Sequence, residues 1–286
     1  MKNPVRSWVF SDDHCGHAVG FTPPWRDFEK PPQEPEYKAK AWAMRRAIFD
    51  WQDQILESLP PPDVVLINGD CVDGKGERSG GTEQHEIDEN EQVNMAAEVI
   101  KWRANRGSKK ARVFMSYGTP YHTGRLQDNE TPVAGLVGAE KIGGVDNIDI
   151  RGVIINYRHA VSRSIIPHGR FTSLAREKLW NDLWAVRGEY PSADIVIRSH
   201  VHYHVFCGTP DWLAFTTPAC QGYGSKFGVR QVTGTIDVGF MTLDIYGPGE
   251  IDWHAHVWRS PFQEAHKVLE GEEVNFGEGE TPETDA

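Results

Sequence analysis

Short apolar runs alternate with helix-like segments through the first half of the chain. The runs "SWVF", "DVVLIN" and "ARVFMS" are short and continuous, as expected of buried strands. Between them, residues 38–59 and 86–106 place apolar side chains at helical spacing, and three prolines at 60–62 stop the first of these segments. The order strand, helix, strand, helix, strand predicts βαβ units and a parallel sheet.

The second half of the chain is richer in β-forming residues. "NIDIRGVIINYRH" predicts two strands that turn at Arg151 and Gly152, and a helix is expected over residues 173–186. "ADIVIRSHVHYHVF" predicts a further strand, and residues 212–258 predict several antiparallel strands. We expect one domain over residues 1–263 and an acidic, largely disordered tail over residues 264–286.

Composition narrows the classes of function. The net charge of −11 argues against a non-specific polyanion binder. One basic cluster keeps nucleic acid open as a less favoured partner, and its members are Arg103, Arg106, Lys109, Lys110 and Arg112. No apolar run approaches the roughly 20 residues of a membrane span, no signal peptide is visible, and the four cysteines lack CxxC spacing. We therefore expect a cytoplasmic protein with no membrane contact, whose oligomeric state the sequence leaves open.

Acidic residues and histidines follow most of the apolar runs. In chain order they are Asp12, His14, Asp70, His122, then His159 or His168, then His200 and His202. Because function gathers at the carboxyl ends of strands in such sheets, we expect these side chains to meet. Asp12 and His14 are separated by one residue, as are His200 and His202, and this spacing lets strand side chains point the same way. Carboxylate and imidazole together suit Mn, Fe or Zn, so the pattern predicts a metal site.

These segments resemble the motifs of the calcineurin-like metallophosphoesterases. "SDDH" is similar to the D-x-H motif of that family, "NGDCVDG" to G-D-x-x-D, and "YGTPYH" to G-N-H-D/E. "RHA" is similar to the strand-end His motif, and "RSHVHYH" to G-H-x-H, with Ser199 at the Gly position. The resemblance extends from residue 7 to residue 204 and implies an α/β fold with two mixed β-sheets flanked by helices, a four-layer α/β/β/α sandwich.

The resemblance also implies a dinuclear metal site. The implied ligands of the first ion are Asp12, His14, Asp70 and His202. Asp70 would bridge to the second ion, whose other implied ligands are His159 and His200. Two divalent ions are implied, with Mn as the first choice and Zn, Fe or Ni as alternatives. The implied activity is hydrolysis of a phosphomonoester or phosphodiester, in a small molecule or nucleotide, by a metal-bound hydroxide. A catalytically inactive binding module and a nuclease of the same family are the alternatives.

The third motif departs from the family pattern. Thr119 stands where the family has a ligating Asn, and His122 comes two residues later than the family's His. Three interpretations are open: the second ion lacks this ligand, His122 supplies it, or His122 has only a catalytic role. We favour the catalytic role, in which His122 serves as general acid.

Two histidines compete for the fourth motif. We prefer His159 as the ligand because a strand end positions a side chain more rigidly than a loop does. His168 and Arg170 are then expected on a loop beside the site, where they would contact the substrate phosphate.

Overall fold

The computed structural model describes residues 3–27, 36–123, 128–223 and 234–260. The acidic tail expected over residues 264–286 lies outside the described residues, so its disorder and the domain boundary before it stay predictions. The strands in the described part are β1 Val5–Phe10, β2 Val64–Asn68, β3 Arg112–Ser116, β4 Lys141–Gly143, β5 Asp146–Ile150, β6 Val153–Tyr157, β7 Ile195–Arg198, β8 Phe206–Thr209, β9 Trp212–Thr216, β10 Val238–Gly247 and β11 Glu250–Trp258. The α-helices are α1 Glu36–Ser58, α2 Glu89–Ala104, α3 Pro120–Thr123, α4 Glu130–Val137 and α5 Pro167–Val186.

The first sheet contains the parallel strands that the sequence predicts. Its order is β11-β10-β1-β2-β3-β4, and β1 to β4 pair in parallel. The helices α1 and α2 connect β1 to β2 and β2 to β3, as expected of βαβ units. The hairpin of β10 and β11 adds two antiparallel strands beside β1, so the sheet is mixed. The carboxyl ends of β1, β2 and β3 consequently lie at one edge of this sheet.

The second sheet is also mixed, with the order β5-β6-β7-β9-β8. Its central strands β6, β7 and β9 are parallel, and β5 and β8 pair antiparallel at the edges. The predicted turn between β5 and β6 is confirmed, with Arg151 and Gly152 at φ values of 57° and 85°. The antiparallel strands expected over residues 212–258 are present as β10 and β11, and β9 pairs antiparallel with β8 on one side and in parallel with β7 on the other.

Three apolar clusters separate four layers. Phe10 belongs to the cluster between the first sheet and helices α1, α2 and α4. Val9, its neighbour along β1, points the other way, into the cluster between the two sheets that also contains Ile155 and Ile197. Leu174 of α5 packs on the outer face of the second sheet in the third cluster. The predicted fold class, two mixed sheets flanked by helices in an α/β/β/α sandwich, is confirmed.

Helix α5 begins earlier than the sequence predicts. It starts at Pro167, and proline is favourable there because the first amide of a helix needs no acceptor within the helix. His168 and Arg170 therefore lie in the first turn of a helix, and the loop predicted for them is wrong.

Among the described residues, we find no helix with the length and apolar character needed to cross a membrane.

Candidate metal centre

All six predicted ligands lie just beyond the carboxyl ends of strands: Asp12 and His14 after β1, Asp70 after β2, His159 after β6, and His200 and His202 after β7. Five of them have left-handed backbone conformations, with φ values of 54° at Asp12, 44° at His14, 52° at Asp70, 74° at His200 and 55° at His202. In the described part of the chain, Arg151 is the one other non-glycine residue with positive φ. Such conformations cost about 1–3 kcal/mol each and cluster at functional sites.

The sequence suggested that strand alternation aligns Asp12 with His14 and His200 with His202. The backbone conformations show that this explanation is wrong. The strands end at Phe10 and Arg198, before the Asp12/His14 and His200/His202 pairs begin. Strand alternation therefore does not align the two members of either pair. Left-handed turns do so instead, and their backbone amides bind the neighbouring strand ends, as in the bond from the His14 amide to the Asp70 carbonyl at 3.0 Å.

One group of candidate ligands consists of Asp12, His14 and His202. One ligand atom from each lies within 4.8 Å of the other two. Asp12 Oδ1 is 3.1 Å from His202 Nε2 and 3.9 Å from His14 Nε2. This geometry brings together three of the four residues that the family resemblance implies for the first ion.

A second group consists of Asp70, His159 and His200, again with ligand atoms within 4.8 Å of one another. His159 Nε2 lies 2.9 Å from Asp70 Oδ2 and 3.9 Å from Asp12 Oδ1. Asp70 also belongs to a third group, with His14 and His122. The Asp70 carboxylate is therefore within reach of ligands on both sides of the site, as a bridging residue must be.

Several ligand atoms are buried without a hydrogen-bond partner among the described residues. They are Asp12 Oδ1, both ring nitrogens of His14, and His159 Nε2. Asp12, His14, Asp70 and His159 are all at most 2% exposed. Buried polar atoms without partners are costly and call for an explanation, and a divalent cation would satisfy these.

The electrostatics of the site favour positive charge between the two aspartates. Burial alone would raise the pKa of Asp12 and of Asp70, but the neighbouring histidines lower both well below the usual value. Burial opposes protonation of His159, yet Asp70 and Asp12 raise its pKa to about 10. At His14, burial and the nearby His122 lower the pKa to about 4, so this ring is neutral near pH 7 and free to act as a ligand.

Hydrogen bonds to backbone and side-chain groups orient the ligands. His159 donates from Nδ1 to the Asn68 carbonyl at 2.7 Å, which leaves Nε2 to face the two aspartates. Asp12 Oδ2 accepts from the Ser11 hydroxyl and, at 3.3 Å, from the His200 amide. Ser199, at the position of the family's Gly, is fully buried and accepts from Asn68 Nδ2 at 2.6 Å.

A buried ion pair under the first turn was missed from the sequence. Arg103 Nη1 and Nη2 donate to both carboxylate oxygens of Asp13 at 2.8 and 2.7 Å, and both side chains are at most 1% exposed. Asp13 stands between the ligands Asp12 and His14, so this pair fixes the turn that carries them. The available signal was the helical spacing of Arg103 with Val99 and Ala96, which places it on the buried face of α2.

A second missed residue is Glu130, the first residue of α4. Its carboxylate accepts from the amide of Cys71 at 2.9 Å and from the amide of Gly118 at 2.6 Å. It thereby ties the turn after β2 to the loop after β3. Burial and the charge of Asp70 raise the pKa of Glu130 to about 7.

The altered third motif contacts the bridging carboxylate directly. Thr119 donates its amide to Asp70 Oδ1 at 2.6 Å, and its hydroxyl lies 3.2 Å from both carboxylate oxygens. This approach requires Gly118, because a Cβ there would collide with the Asp70 carboxylate. Thr119 thus orients Asp70 by hydrogen bonds.

His122 lies on the side of the site that carries His14. The two ring centroids are 4.3 Å apart, and His122 donates from Nδ1 to the Asp73 carbonyl at 2.9 Å. In the described part of the chain, no group of potential ligands combines His122 with His159 or His200. This placement argues against His122 as a substitute for the missing Asn on the second ion.

His168 and Arg170 are not drawn into the ligand cluster. His168 is exposed in the first turn of α5 and belongs to none of the three ligand groups. Arg170 stacks at 4.0 Å over the ring of Tyr203, the residue that follows His202 in the sequence, and it donates to Thr235 at 3.0 Å. Their contact with a substrate phosphate stays a prediction.

The predicted basic cluster does not form a free cationic surface. Arg103 is buried against Asp13, and Arg106 pairs with Asp53. Arg112 pairs with Glu140, and Lys110 donates to the Val137 carbonyl at 2.6 Å. Four of its five members are therefore engaged in contacts within the fold.

Comparison with known proteins gives the following likenesses. No protein-family model and no curated protein matches the chain. An archaeal phosphodiesterase is 15% identical, with 88% of this chain and 99% of that chain covered and a TM-score of 0.42. Vps29 complexed with Zn²⁺ from Entamoeba histolytica is 13% identical, over 88% and 98%, with a TM-score of 0.41. A predicted phosphoesterase from Streptococcus pneumoniae TIGR4 is 12% identical, over 86% and 84%, with a TM-score of 0.35.

At these TM-scores and identities the likenesses establish neither activity nor ligands for this chain. Two features come from the structure itself and do not depend on these comparisons. They are the four-layer order of sheets and helices and the positions of the motifs at the ends of strands. This architecture is the fold implied by the resemblance of the sequence to the calcineurin-like metallophosphoesterases.

Proposed function

We propose that the protein hydrolyses phosphomonoesters or phosphodiesters with the help of two divalent metal ions. The observation that supports this most directly is the position of Asp70, whose carboxylate shares one ligand group with His159 and His200 and another with His14. One carboxylate between two sets of imidazoles is the arrangement that a pair of neighbouring cations requires.

The donor set fits the proposed ions. It offers two carboxylates and four imidazoles, a combination that suits Mn, Fe or Zn better than Mg or Ca. Asp12, His14, Asp70 and His202 would hold one ion, and Asp70, His159 and His200 would hold the other. When bound, two such ions activate a water for attack and stabilise the developing negative charge on the phosphoryl oxygens.

The protein's own residues have separate tasks in this proposal. Thr119 and Gly118 fix the Asp70 carboxylate, and the Asn68 carbonyl fixes the ring of His159. His122 is about one-fifth exposed at the edge of the cluster, and its Nε2 is not used by the bond to Asp73. We assign His122 the role of proton donor to the leaving-group oxygen, because it is close to the centre and accessible from outside.

The third motif supports a second candidate, a binding module on the same fold without catalysis. Thr119 replaces a ligand of the second ion, so that ion would have fewer protein ligands than the family pattern provides. A nuclease has less support, because the basic cluster on α2 and β3 is engaged in contacts within the fold.

The experiment is a hydrolysis assay with p-nitrophenyl phosphate and bis-p-nitrophenyl phosphate as substrates. Protein stripped with EDTA should be inactive, and addition of Mn²⁺, Zn²⁺, Fe²⁺ or Ni²⁺ should restore turnover of at least one substrate. Asp70→Asn should abolish the restored activity. The control is Asp211→Asn, which changes an exposed aspartate in the turn between β8 and β9 and should retain the activity. Metal binding by calorimetry without turnover for any metal would favour the binding module, and turnover in EDTA would refute the metal mechanism.

A further inference from the structure

A cavity lies on the outer face of the second sheet, beside α5 and on the side that faces away from the first sheet. It has a volume of 420 Å³, within the range of about 300–1,000 Å³ that is typical of small-molecule sites. Its floor is formed by Asn156 and Arg158 at the end of β6 and by Arg198 at the end of β7. Arg158 directly precedes the candidate ligand His159, but its side chain points towards α5.

One face of α5 forms the wall of this cavity. Glu177, Trp180, Asn181 and Trp184 follow the i, i+3, i+4, i+7 spacing of a single helix face, and all four line the cavity. Trp180 is 54% exposed and Trp184 37% exposed. Tyr190 completes the aromatic surface, with its ring 5.9 Å from that of Trp184 at an angle of 82°. Clustered exposed aromatic side chains of this kind are typical of binding surfaces.

Two arginines at the floor of the cavity share one carboxylate. Arg158 Nη2 and Arg198 Nε both donate to the same oxygen of Glu177, Oε2, at 2.6 and 2.9 Å. The other acidic residue of the lining, Glu189, pairs with Arg187 at 3.1 Å. Two arginines of the lining thus share the single carboxylate of Glu177, while the charge of Glu189 is matched by Arg187 outside the lining, so positive charge is in excess around Arg158 and Arg198.

Arg158 is the arginine that a ligand can reach. Arg198 is 3% exposed and also donates to Asn156 Oδ1 at 2.8 Å, whereas the side chain of Arg158 is 37% exposed. Arg158 Nη1 makes no hydrogen bond to any residue in the described ranges. A guanidinium with a free donor, beside a second arginine and two indoles, fits a ligand that combines an anionic group with a flat ring.

We propose that this cavity binds a planar aromatic anion, with the ring against Trp180 and Trp184 and a carboxylate or phosphate on Arg158. The proposal concerns a site separate from the metal centre and does not depend on phosphoesterase activity.

The test is isothermal titration calorimetry on the full chain in EDTA, with two anionic probes and their neutral counterparts. The probes are AMP against adenosine, for a phosphate, and indole-3-carboxylate against indole, for a carboxylate. At least one anion should bind ten or more times tighter than its counterpart, and the arm that responds identifies the anionic group. Trp184→Ala and Arg158→Gln should each weaken that binding by tenfold or more. Leu179→Ala removes an apolar side chain that is 58% exposed on the same helix but outside the cavity, and it should have no effect.

Three results would overturn the proposal. The first is failure of both anions to bind, and the second is equal affinity for the charged and neutral probes. The third is binding that Trp184→Ala leaves unchanged, which is the result expected of a ligand at the metal centre. Trp180→Ala serves as a second variant because its side chain is 54% exposed, and truncating it should leave the helix folded. If Trp180→Ala instead converts a dimer to a monomer and no probe binds, the aromatic face is a subunit contact.

Discussion

The ion pair between Asp13 and Arg103 provides a quantitative test of how the first metal-binding turn is supported. Arg103 contacts both oxygens of Asp13, donates from Nε to Gln52 at 3.1 Å, and lies 4.0 Å from the ring centroid of Phe10. Asp13 holds the pKa of Arg103 above its ordinary value against the effect of burial, so this guanidinium stays charged. Arg103→Met would leave a buried carboxylate without its partner.

The expected cost is large. Removing one partner of a buried ion pair typically destabilises a protein by about 3–5 kcal/mol, which is a fifth or more of the roughly 5–15 kcal/mol that stabilises an ordinary domain. We expect this loss of unfolding free energy in urea titrations of the EDTA-treated protein. Because Asp13 flanks Asp12 and His14, we also expect weaker Mn²⁺ binding by calorimetry.

Two further variants make the test decisive. Arg112→Met removes an arginine whose ion pair with Glu140 is exposed, so the urea midpoint should not change. The double variant Asp13→Asn/Arg103→Met contains no unpaired charge, and its loss should be smaller than the sum of the two single losses by about 2 kcal/mol. An Arg103→Met loss no larger than that of Arg112→Met, or simple additivity in the double variant, would refute the reasoning.

Four other predictions concern the centre itself. Asp70→Asn should reduce metal content, measured by elemental analysis, together with activity, because a neutral amide cannot hold two cations; wild-type stoichiometry would contradict the bridging role. His159→Ala should lose metal at one site while His168→Ala keeps full metal content, and the reverse pattern would move the ligand to α5. His122→Ala should keep its metal but lose about 10²–10⁴-fold in rate on substrates with alkoxide leaving groups and far less with p-nitrophenolate; an equal loss on both would contradict a proton donor. Metal affinity should rise with pH between 6 and 8, because the pKa of His159 is raised to about 10 and metal binding must release that proton; a pH-independent affinity would mean that His159 is not a ligand.

The residue pattern by itself predicted the parallel strands with their helices and the strand-end positions of the candidate ligands, and the resemblance to a known family added the two-sheet sandwich. Strong apolar runs such as "DVVLIN" bury on both faces of a strand, and their spacing with helical segments allows few other architectures. The polar residues after them had to lie at the carboxyl edge of the parallel strands. The pattern therefore located Asp12 and Asp70 at the carboxyl edge of one sheet, and His200 after the end of a further strand, without any knowledge of packing.

The tertiary structure decided what those residues contact. The one-residue spacing of Asp12 and His14 suggested strand alternation, but left-handed turns align them, and φ values do not follow from residue spacing. Arg103 looked like part of a basic surface, because charge along the chain does not reveal which helix face is buried. The start of α5 at Pro167 moved His168 from a loop to an exposed helical turn.

The roles of Thr119 and Glu130 also depended on long-range contacts. Thr119 reaches a carboxylate 49 positions earlier in the chain, and Glu130 binds the amide of Cys71, 59 positions away. Local sequence determines strands, helices and their ends, since those depend on neighbouring residues. Which side chains share a hydrogen bond or a buried charge is set by how the layers pack, and this information is distributed over the whole chain.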